Sequence, residues 1–433
     1  MNKVPGATTH PSVASGPSAR TAFLDAQASD PAALGWMVGA SPAPEKLIRF
    51  DDGSFFHFPK TRWSFSHLSQ LMPTTGVVRG RRPTWVLPEA LRPDLDNVRF
   101  TPTGQSAPMT WAQSLLANYT DGILVLHQGR IVYERYFGVL TPDRPHIAFS
   151  VTKSFVGTLA ASLIVEGALD ERATAARFVP ELTGSGFGDA TIRQLLDMTT
   201  GIDYSEIYTD EASPFWSFCY AIGFLPRPVD ARGPDSCWDY LRAMRQSYPH
   251  GERLAYKTPN TDALAWVLSR VSGKSIGELF QERLWSKLGV EHDAYFTVDS
   301  AGTEFAGAGL NLTLRDLARF GETMRRGGRT ADQQVIPAAV IEDIRRGGNR
   351  EIFNGAGYKT LPGASYRNMW WVLHNAHGAY MARGVHGQGL YVDPTAEMVI
   401  ARFASHPLAS NANLDPTSLP AYQAVAEFLM GGG

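Results

Sequence analysis

The sequence predicts a mixed α/β fold in which strands near both ends of the chain enclose a helical middle. Apolar runs typical of strands occur early, at residues 122–137, and again late, between residues 369 and 404. Helical periodicity dominates the residues between these two regions. Strand regions separated by a block of helices are typical of an α/β lobe that is interrupted by a helical insertion.

The early strands form a predicted hairpin, because residues 122–128 and 131–137 are apolar runs separated by a Gly-Arg break. A nearly all-apolar helix follows at residues 150–170, and Gly167 is its predicted end. Because this helix is apolar on almost every side, we expect it to lie at the centre of the fold.

Shorter elements complete the prediction. Helices are expected at 191–198, 260–272, 275–287 and 312–328, and strands at 369–374, 388–393 and 397–404. We divide the chain into an arm rich in Ala, Ser, Pro and Gly (residues 1–45), an α/β lobe (46–180 and 268–433) and a mainly helical lobe (181–267).

Composition excludes several classes of function. The 433 residues carry a formal net charge of −2, so no overall field favours nucleic acid or acidic membranes. No apolar run approaches the roughly 20 residues needed to cross a bilayer, and the first 40 residues lack the charged and apolar regions of a signal peptide. We therefore expect a cytoplasmic protein with neither a nucleic-acid nor a membrane partner.

The cysteine and histidine pattern argues against a metal site. Cys219 and Cys237 are the two cysteines, and whether they pair is left open. The sequence contains no CxxC, no HExxH and no paired Cys/His ligand set, so we expect no zinc. We expect no other cofactor either, a small molecule as the partner, and a homodimer as an open alternative.

Ser150 and Lys153 form an S-x-x-K pattern at the start of the apolar helix. Positions i and i+3 share one helical face, so the amine can reach the hydroxyl. Free N–H groups at the helix start favour developing negative charge, and a buried lysine of lowered pKa can accept the serine proton. The alternative is a capping serine beside a surface lysine.

Tyr256 is the third candidate for proton transfer. It precedes Pro259 and Asn260, where the next helix is expected to begin with Asn260 as its N-cap. A nearby ammonium favours the phenolate, which predicts that this tyrosine acts as a general base and later as an acid. The alternative is a structural tyrosine whose hydroxyl is satisfied elsewhere.

A glycine-rich segment before a late strand predicts a place where a ligand approaches the backbone. Residues 383–393 read RGVHGQGLYVD, with glycines flanking His386 and a glutamine. A backbone N–H at this edge could complete an oxyanion hole with the N–H of Ser150. The alternative is that His386 is a structural histidine.

Taken together, these motifs occur in the order shared by class C β-lactamases, DD-peptidases and related esterases. The sequence resembles most closely the 6-aminohexanoate-dimer hydrolases over about residues 120–405. That resemblance rests on the segments FSVTKSFVGTL, LLDMTTGIDYSEIYTDEAS, YKTPNTDALAWVLSRVSG, TLRDLARFG and GVHGQGLYVDP. It implies a β-lactamase/transpeptidase-like fold, with an antiparallel sheet flanked by helices and the active site between the two lobes.

The resemblance also implies roles for individual residues. Ser150 would be acylated, with Lys153 and Tyr256 as its proton partners. Tyr208, on a loop over the cleft, would hydrogen-bond the amide nitrogen of the substrate, with an aromatic lid residue as the alternative. Val385 would supply the second oxyanion N–H. The remaining candidates for substrate or oxyanion contact are His386, Asn260 and Trp371.

The sequence departs from class C β-lactamases at two motifs. Tyr256 stands four residues before Asn260 instead of in a tight Y-x-N, and His386 occupies the K-T-G region. These departures argue against efficient β-lactam hydrolysis and favour an amidase or esterase of small linear substrates. A carboxylesterase without oligoamide activity, a D-stereospecific peptidase or weak β-lactamase, and an inactive binding protein remain alternatives.

Six aromatic residues are candidates for lining an apolar cleft, with core packing as the alternative. They are Phe215, Trp216, Phe218, Trp238, Trp370 and Trp371.

Overall fold

The computed structural model of the protein describes residues 23–431, so residues 1–22 of the predicted N-terminal arm lie outside the described residues. The strands are β1 Thr74–Val77, β2 Arg99–Phe100, β3 Met109–Thr110, β4 Thr120–His127, β5 Arg130–Tyr136, β6 His146–Ile147, β7 Ala294–Thr297, β8 Leu310–Leu312, β9 Ser365–Arg367, β10 Trp370–Val372, β11 Tyr380–Arg383, β12 Gly389–Asp393 and β13 Met398–Ala404.

Helices occupy much of the remaining chain. They are α1 Pro31–Leu34, α2 Thr61–Ser64, α3 Trp111–Ala117, α4 Val151–Val165, α5 Ala175–Phe178, α6 Ile192–Leu196, α7 Pro214–Ala221, α8 Cys237–Ala243, α9 Pro259–Ser272, α10 Ile276–Arg283, α11 Leu314–Arg325, α12 Ala338–Arg346, α13 Arg350–Gly355 and α14 Asp415–Met430. Short 3₁₀ turns join several of them, including Val385–Gly387.

A seven-stranded sheet in the order β5-β4-β13-β12-β11-β10-β9 is the framework of the fold, and every neighbouring pair in it is antiparallel. The predicted hairpin is confirmed, because β4 pairs with β5. Its turn falls on Gln128 and Gly129, both with positive φ, as a tight two-residue hairpin turn requires.

Alternating residues of the sheet contact helices on opposite faces. Leu390 and Val399 face α11, where a Cβ on Gly321 would lie 2.6 and 2.5 Å from their side chains. Tyr391 faces the other side, its ring 5.3 Å from that of Tyr422 on α14. The sheet is therefore buried between α11 and α14.

Helix α4 lies at the centre of the molecule, as its composition predicts. All residues from Val151 to Leu163 are buried, and the chain leaves the helix at Gly167 with φ +76°. Gly157 allows the helix to approach the β9–β10 turn, because a Cβ there would lie 2.3 Å from the carbonyl oxygen of Asn368. The mixed α/β class with an antiparallel sheet flanked by helices is confirmed.

Several elements escape prediction because they are too short to show periodicity. A second antiparallel sheet, β1-β7-β8-β6, is built from strands of two to four residues. Strand β11 carries only four residues, and α14 contains an internal proline, Pro420. For these reasons the sequence pattern predicts neither β11 nor α14.

The division into two lobes stays a prediction. Among the described residues, 181–267 hold α6, α7, α8 and most of α9, and no strand of either sheet. None of the helices within residues 23–431 combines the length and the apolar character that a bilayer crossing requires.

Candidate active site

Ser150 stands at the N-cap position of α4, so the predicted helix start is confirmed. The preceding residue, Phe149, is buried and has φ +44°, a conformation that non-glycine residues seldom adopt. Such strained backbone is characteristic of functional sites, where the surrounding structure has to enforce it. Here it places the serine hydroxyl at the point where the chain enters the helix.

The side chain of Lys153 extends back along α4 to Ser150. Its Nζ donates to Ser150 Oγ at 2.9 Å, to Thr258 Oγ1 at 3.0 Å and to the carbonyl oxygen of Gly307 at 2.7 Å. All three donors of the ammonium are therefore used. Only 1% of the residue is exposed, which excludes the alternative of a surface lysine beside a capping serine.

Burial makes Lys153 a stronger candidate for a base. It lowers the pKa of the amine to about 8, while the carboxylates of Glu206 and Asp262 oppose that shift. Asp262 is itself buried, which raises its pKa to about 7 against the effect of the nearby ammonium. A substantial fraction of neutral amine is therefore present near pH 8, in hydrogen-bonding contact with the serine hydroxyl.

Tyr256 lies beside this pair. Lys153 Nζ is 5.1 Å from the centre of the Tyr256 ring. Burial raises the pKa of the phenol well above its ordinary value, as does the charge of Glu206, while a hydrogen-bonding interaction with Ser150 lowers it. The expectation of a favoured phenolate is therefore wrong, because desolvation and the charge of Glu206 raise the pKa of the phenol more than the interaction with Ser150 lowers it. Tyr256 is suited to donate a proton and not to hold a standing negative charge.

A pocket of about 440 Å³ opens above Ser150, and it brings together most of the predicted site. Ser150, Tyr208, Tyr256, Trp371 and Val385 all line it. The rings of Tyr256 and Trp371 stack with their centres 5.6 Å apart. Residues separated by more than 200 positions in sequence thus face one cavity.

Tyr208 is held on its loop by Glu206, a pocket residue that the sequence analysis missed. The phenol of Tyr208 donates to Glu206 Oε2 at 3.0 Å. The other carboxylate oxygen of Glu206 accepts the backbone N–H of Thr258. Glu206 therefore ties the loop over the cleft to the segment that holds Lys153. Its signal in the sequence was the acid two residues before Tyr208 in DYSEIYTD.

The geometry also supplies candidates for an oxyanion hole. Neither the N–H of Ser150 nor that of Val385 donates to a protein acceptor within residues 23–431. The backbone at Gly384 lies so close to the serine that a Cβ there would be 3.1 Å from Ser150 N and 2.6 Å from the carbonyl oxygen of Ala148. Two free donors on adjoining segments fit the charge that develops on an acyl oxygen.

Three predicted site residues are absent from the pocket lining: Lys153, which contacts Ser150 Oγ from the protein interior, Asn260 and His386. Asn260 is fully buried, and its Oδ1 accepts the hydroxyl proton of Thr200 at 2.6 Å. It is also not the N-cap of α9, since Thr258 holds that position and Pro259 is the first helical residue. The asparagine was assigned to the site because of its proximity to Tyr256 in sequence, but the helix turns its side chain into the core.

His386 is the second correction. Its ring is packed among Phe56, Phe65 and Phe149, at centre distances of 5.7, 5.2 and 5.7 Å. Its Nδ1–H donates to the carbonyl oxygen of His406 at 2.7 Å, and burial lowers the pKa of the imidazole to about 4. The histidine therefore stays neutral behind the oxyanion segment and supports it, rather than contacting a substrate.

Of the six aromatic candidates, Trp371 lines the pocket, and the other five are absent from its lining as the described residues form it. Trp238 stacks instead on Trp266, with ring centres 4.4 Å apart. Phe215 contacts the ring of Tyr208 at 4.9 Å and so supports the loop from behind. Cys219 and Cys237 are buried free thiols.

Comparison with known proteins places the chain in a family. The model of the family described as β-lactamase matches residues 113–419. The chain belongs to the β-lactamase family. Its fold and the names of its relatives identify an enzyme of the serine hydrolase type.

Two proteins similar to this chain are both named as 6-aminohexanoate-dimer hydrolases. A 6-aminohexanoate-dimer hydrolase of Paenarthrobacter ureafaciens is 35% identical over 350 residues, which cover 81% of this chain and 86% of the relative. A solved structure from Bacillus anthracis, provisionally named a 6-aminohexanoate-dimer hydrolase, is 31% identical with a TM-score of 0.82. It covers 90% of this chain and 99% of its own.

A more distant structure shares the fold alone. An octameric penicillin-binding protein homologue from Pyrococcus abyssi is 18% identical, with a TM-score of 0.56, and the match covers 74% of this chain and 76% of that one.

Proposed function

We propose that this protein cleaves amide or ester bonds of small linear substrates through an acyl-enzyme on Ser150, with 6-aminohexanoate-dimer-like amides as the preferred class. The observation that carries the proposal is the buried amine of Lys153, 2.9 Å from the Oγ of Ser150, a residue that lines the pocket. A serine hydroxyl needs such an adjacent base to become a nucleophile.

Lys153 is the first base in this mechanism. Ser150 Oγ forms a bond to the acyl carbon while its proton moves to the neutral amine of Lys153. The acyl oxygen takes up the negative charge and is stabilised by the N–H groups of Ser150 and Val385. Because the pKa of Lys153 lies at about 8, the amine is neutral often enough for this step near neutral pH.

Tyr256 is the acid for the leaving group. The bond between the acyl carbon and the leaving nitrogen or oxygen breaks, and the phenol donates its proton to that atom. Lys153 then returns a proton to the phenolate, directly or through a hydroxyl between them. A water molecule repeats the sequence on the acyl-enzyme, releasing the acid and restoring Ser150.

The pocket supports a substrate with both apolar and polar parts. Trp371, Tyr358 and Val385 offer apolar surface, and Glu206 and Arg383 add opposite charges to the lining. A linear amide with a short methylene chain matches this combination. The names of the two relatives support oligoamides of 6-aminohexanoate as the first compounds to test.

Mass spectrometry of the intact protein tests the proposal. The enzyme is exposed briefly to 6-aminohexanoate dimer and to short-chain 4-nitrophenyl esters, and the acylated residue is located by peptide mapping. We expect an acyl adduct on Ser150 and turnover of both substrate classes. Ser150→Ala should abolish adduct and turnover while the protein stays folded.

Ser162→Ala is the matched control, because Ser162 lies on the same helix and its hydroxyl, within residues 23–431, donates only to the carbonyl oxygen of Thr158 one turn earlier. It should retain adduct formation. Acylation at another residue, or near-normal ester hydrolysis by Ser150→Ala, would contradict the proposal. Ester turnover without dimer cleavage would favour the carboxylesterase alternative, and nitrocefin turnover a weak β-lactamase.

Three further expectations remain proposals. They are the two-lobe organisation with the active site between lobes, the cytoplasmic location and a homodimer. Limited proteolysis, cell fractionation and sedimentation analysis test them in turn.

A further inference from the structure

Arg383 occupies the pocket wall next to the reacting groups. It is the last residue of β11, where it pairs with Gly389 of β12. Gly384, which follows it, is the residue whose backbone approaches Ser150 N. Because a paired strand fixes its backbone, the guanidinium is held at a set position relative to the nucleophile.

The guanidinium is only partly used by the protein. Its Nη2 donates to Asp415, whose other oxygen accepts the hydroxyl of Thr360 at 2.5 Å. Its Nε and Nη1 have no acceptor among residues 23–431, although the side chain is 90% buried. The residue lines the pocket above Ser150, where solvent or a ligand can reach it. Buried donors of this kind are normally satisfied by a water molecule or a ligand.

Arg383 is a buried cation in a pocket whose charged lining also holds Lys359, Glu206 and Asp415. Lys359 is exposed to solvent, so its charge is screened, and Asp415 is already bonded to Arg383 and Thr360. The guanidinium carbon lies 5.2 Å from the centre of the Trp371 ring, an arrangement that orients the planar group. Its charge reaches the reacting groups too, since Arg383 opposes the rise in the pKa of Tyr256.

We propose that Arg383 is a carboxylate-binding residue, which selects amides and esters that carry a free carboxylate a short linear chain away from the scissile bond. The free Nε–H and Nη1–H groups lie on different edges of the guanidinium, and each can donate a charge-assisted hydrogen bond to a carboxylate oxygen, a bond roughly twice as strong as one between neutral groups. The inference rests on the proposed function and specifies its substrate class.

A ratio of rates tests the proposal. Mono-4-nitrophenyl glutarate is compared with 4-nitrophenyl pentanoate for a carboxylate on the acyl side. On the leaving-group side, 6-acetamidohexanoate is compared with its neutral primary amide. We expect a preference of roughly ten- to hundred-fold in kcat/KM for the carboxylated member of at least one pair, the usual size of a charge-assisted contact.

The variant is the double substitution Arg383→Gln with Asp415→Asn, because removing the arginine alone would leave a buried carboxylate unpaired. The ratio should fall to within about threefold of unity. Each neutral substrate is an internal reference, so loss of active protein cancels. Lys359→Gln is the control for non-specific attraction and should leave the preference intact, since an exposed charge is screened by solvent.

A binding arm separates this proposal from the proposed function. Binding is measured by calorimetric titration of the Ser150→Ala variant, so the result does not depend on turnover. The ligands are 6-acetamidohexanoate, glutarate and their neutral amides, and each is titrated with and without the double substitution. Carboxylate-selective binding that the double substitution removes supports the proposal even if no amide is cleaved. Equal binding of charged and neutral ligands, or selectivity lost with Lys359→Gln instead, overturns it.

Discussion

Substitution Asp262→Asn should move the acid limb of the pH–rate profile to lower pH. Asp262 Oδ1 accepts the N–H of Gly307 at 3.0 Å, and the carbonyl oxygen of Gly307 accepts Lys153 Nζ at 2.7 Å. Its other oxygen, Oδ2, has no partner in the described chain. Asparagine keeps the acceptor for Gly307 and removes the charge, so the peptide stays oriented while the ammonium loses a counter-ion.

The size of the shift follows from this geometry. The Gly307 peptide separates the two charges, which places them on the order of 6 Å apart, and at an effective dielectric of about 20 they interact by roughly 3 kcal/mol. That energy corresponds to about two pK units. Since the pKa of Asp262 is about 7, its carboxyl is mostly ionised at a limb near pH 8, so most of this interaction is present there. We therefore expect a shift of about one to two pH units.

The sign is fixed by the charge that is removed. A carboxylate stabilises the protonated amine, so its loss lowers the pKa of Lys153 below about 8 and makes the neutral base available at lower pH. The other titratable groups near Lys153 and Asp262 are Glu206, Cys237 and Tyr256, and the substitution leaves these three residues in place.

The assay is kcat/KM against pH from 5 to 10 with an activated ester, since this quantity reports ionisations of the free enzyme. Thr261→Val is the matched control, because Thr261 neighbours Asp262 on α9 and carries no charge. It should leave the limb in place. An unmoved limb in Asp262→Asn, or one moved to higher pH, would refute the electrostatic role assigned to this carboxylate.

Three further predictions concern the leaving-group acid, the oxyanion segment and the central helix. Tyr256→Phe should reduce kcat/KM for amides by about 100-fold or more. The loss for 4-nitrophenyl esters should be smaller, because nitrophenolate leaves without taking up a proton. Equal losses on both substrates would argue against Tyr256 as the acid for the leaving group. Gly384→Ala places a Cβ 2.6 Å from a backbone carbonyl beside Ser150, so kcat should fall by about 100-fold. Gly389→Ala, whose Cβ meets nothing within 4 Å, should keep the kcat of the unmodified enzyme. Similar kcat values in the two variants would contradict a role for the Gly384 backbone in the oxyanion hole. In Gly157→Ala the new Cβ meets a carbonyl oxygen at 2.3 Å, so the free energy of unfolding, measured in urea, should fall by about 1–3 kcal/mol. Gly355→Ala, where the Cβ meets nothing within 4 Å, should leave it unchanged. An unchanged urea midpoint for Gly157→Ala would count against close packing at Gly157.

The local features of the site could be predicted from the sequence because they depend on neighbours in the chain. The i, i+3 spacing of Ser150 and Lys153 is enough to predict that the amine lies beside the hydroxyl. The nearly all-apolar pattern of residues 150–170 predicted a buried helix, and burial is the cause of the lowered pKa of Lys153. Family resemblance added Tyr208 and Val385, and both line the pocket together with Tyr256.

Other features depended on packing between distant segments. Asn260 and His386 carried plausible polar side chains near catalytic motifs, but the helix start at Pro259 and the aromatic rings around the imidazole turned both into the interior. Glu206 and Arg383 showed no periodicity or motif of their own. Their importance arises because loop and strand carry them to the wall of one cavity.

The amino-acid order thus determined the central helix, the serine–lysine pair on it and the hairpin, since each depends on interactions between residues a few positions apart. Tertiary structure alone decided which carboxylates, Glu206 and Asp262, act on the amine of that pair. It also decided that the phenol of Tyr256 stays protonated, because its pKa is raised by burial. Burial depends on all the segments that pack around a side chain, and a short stretch of sequence does not contain that information.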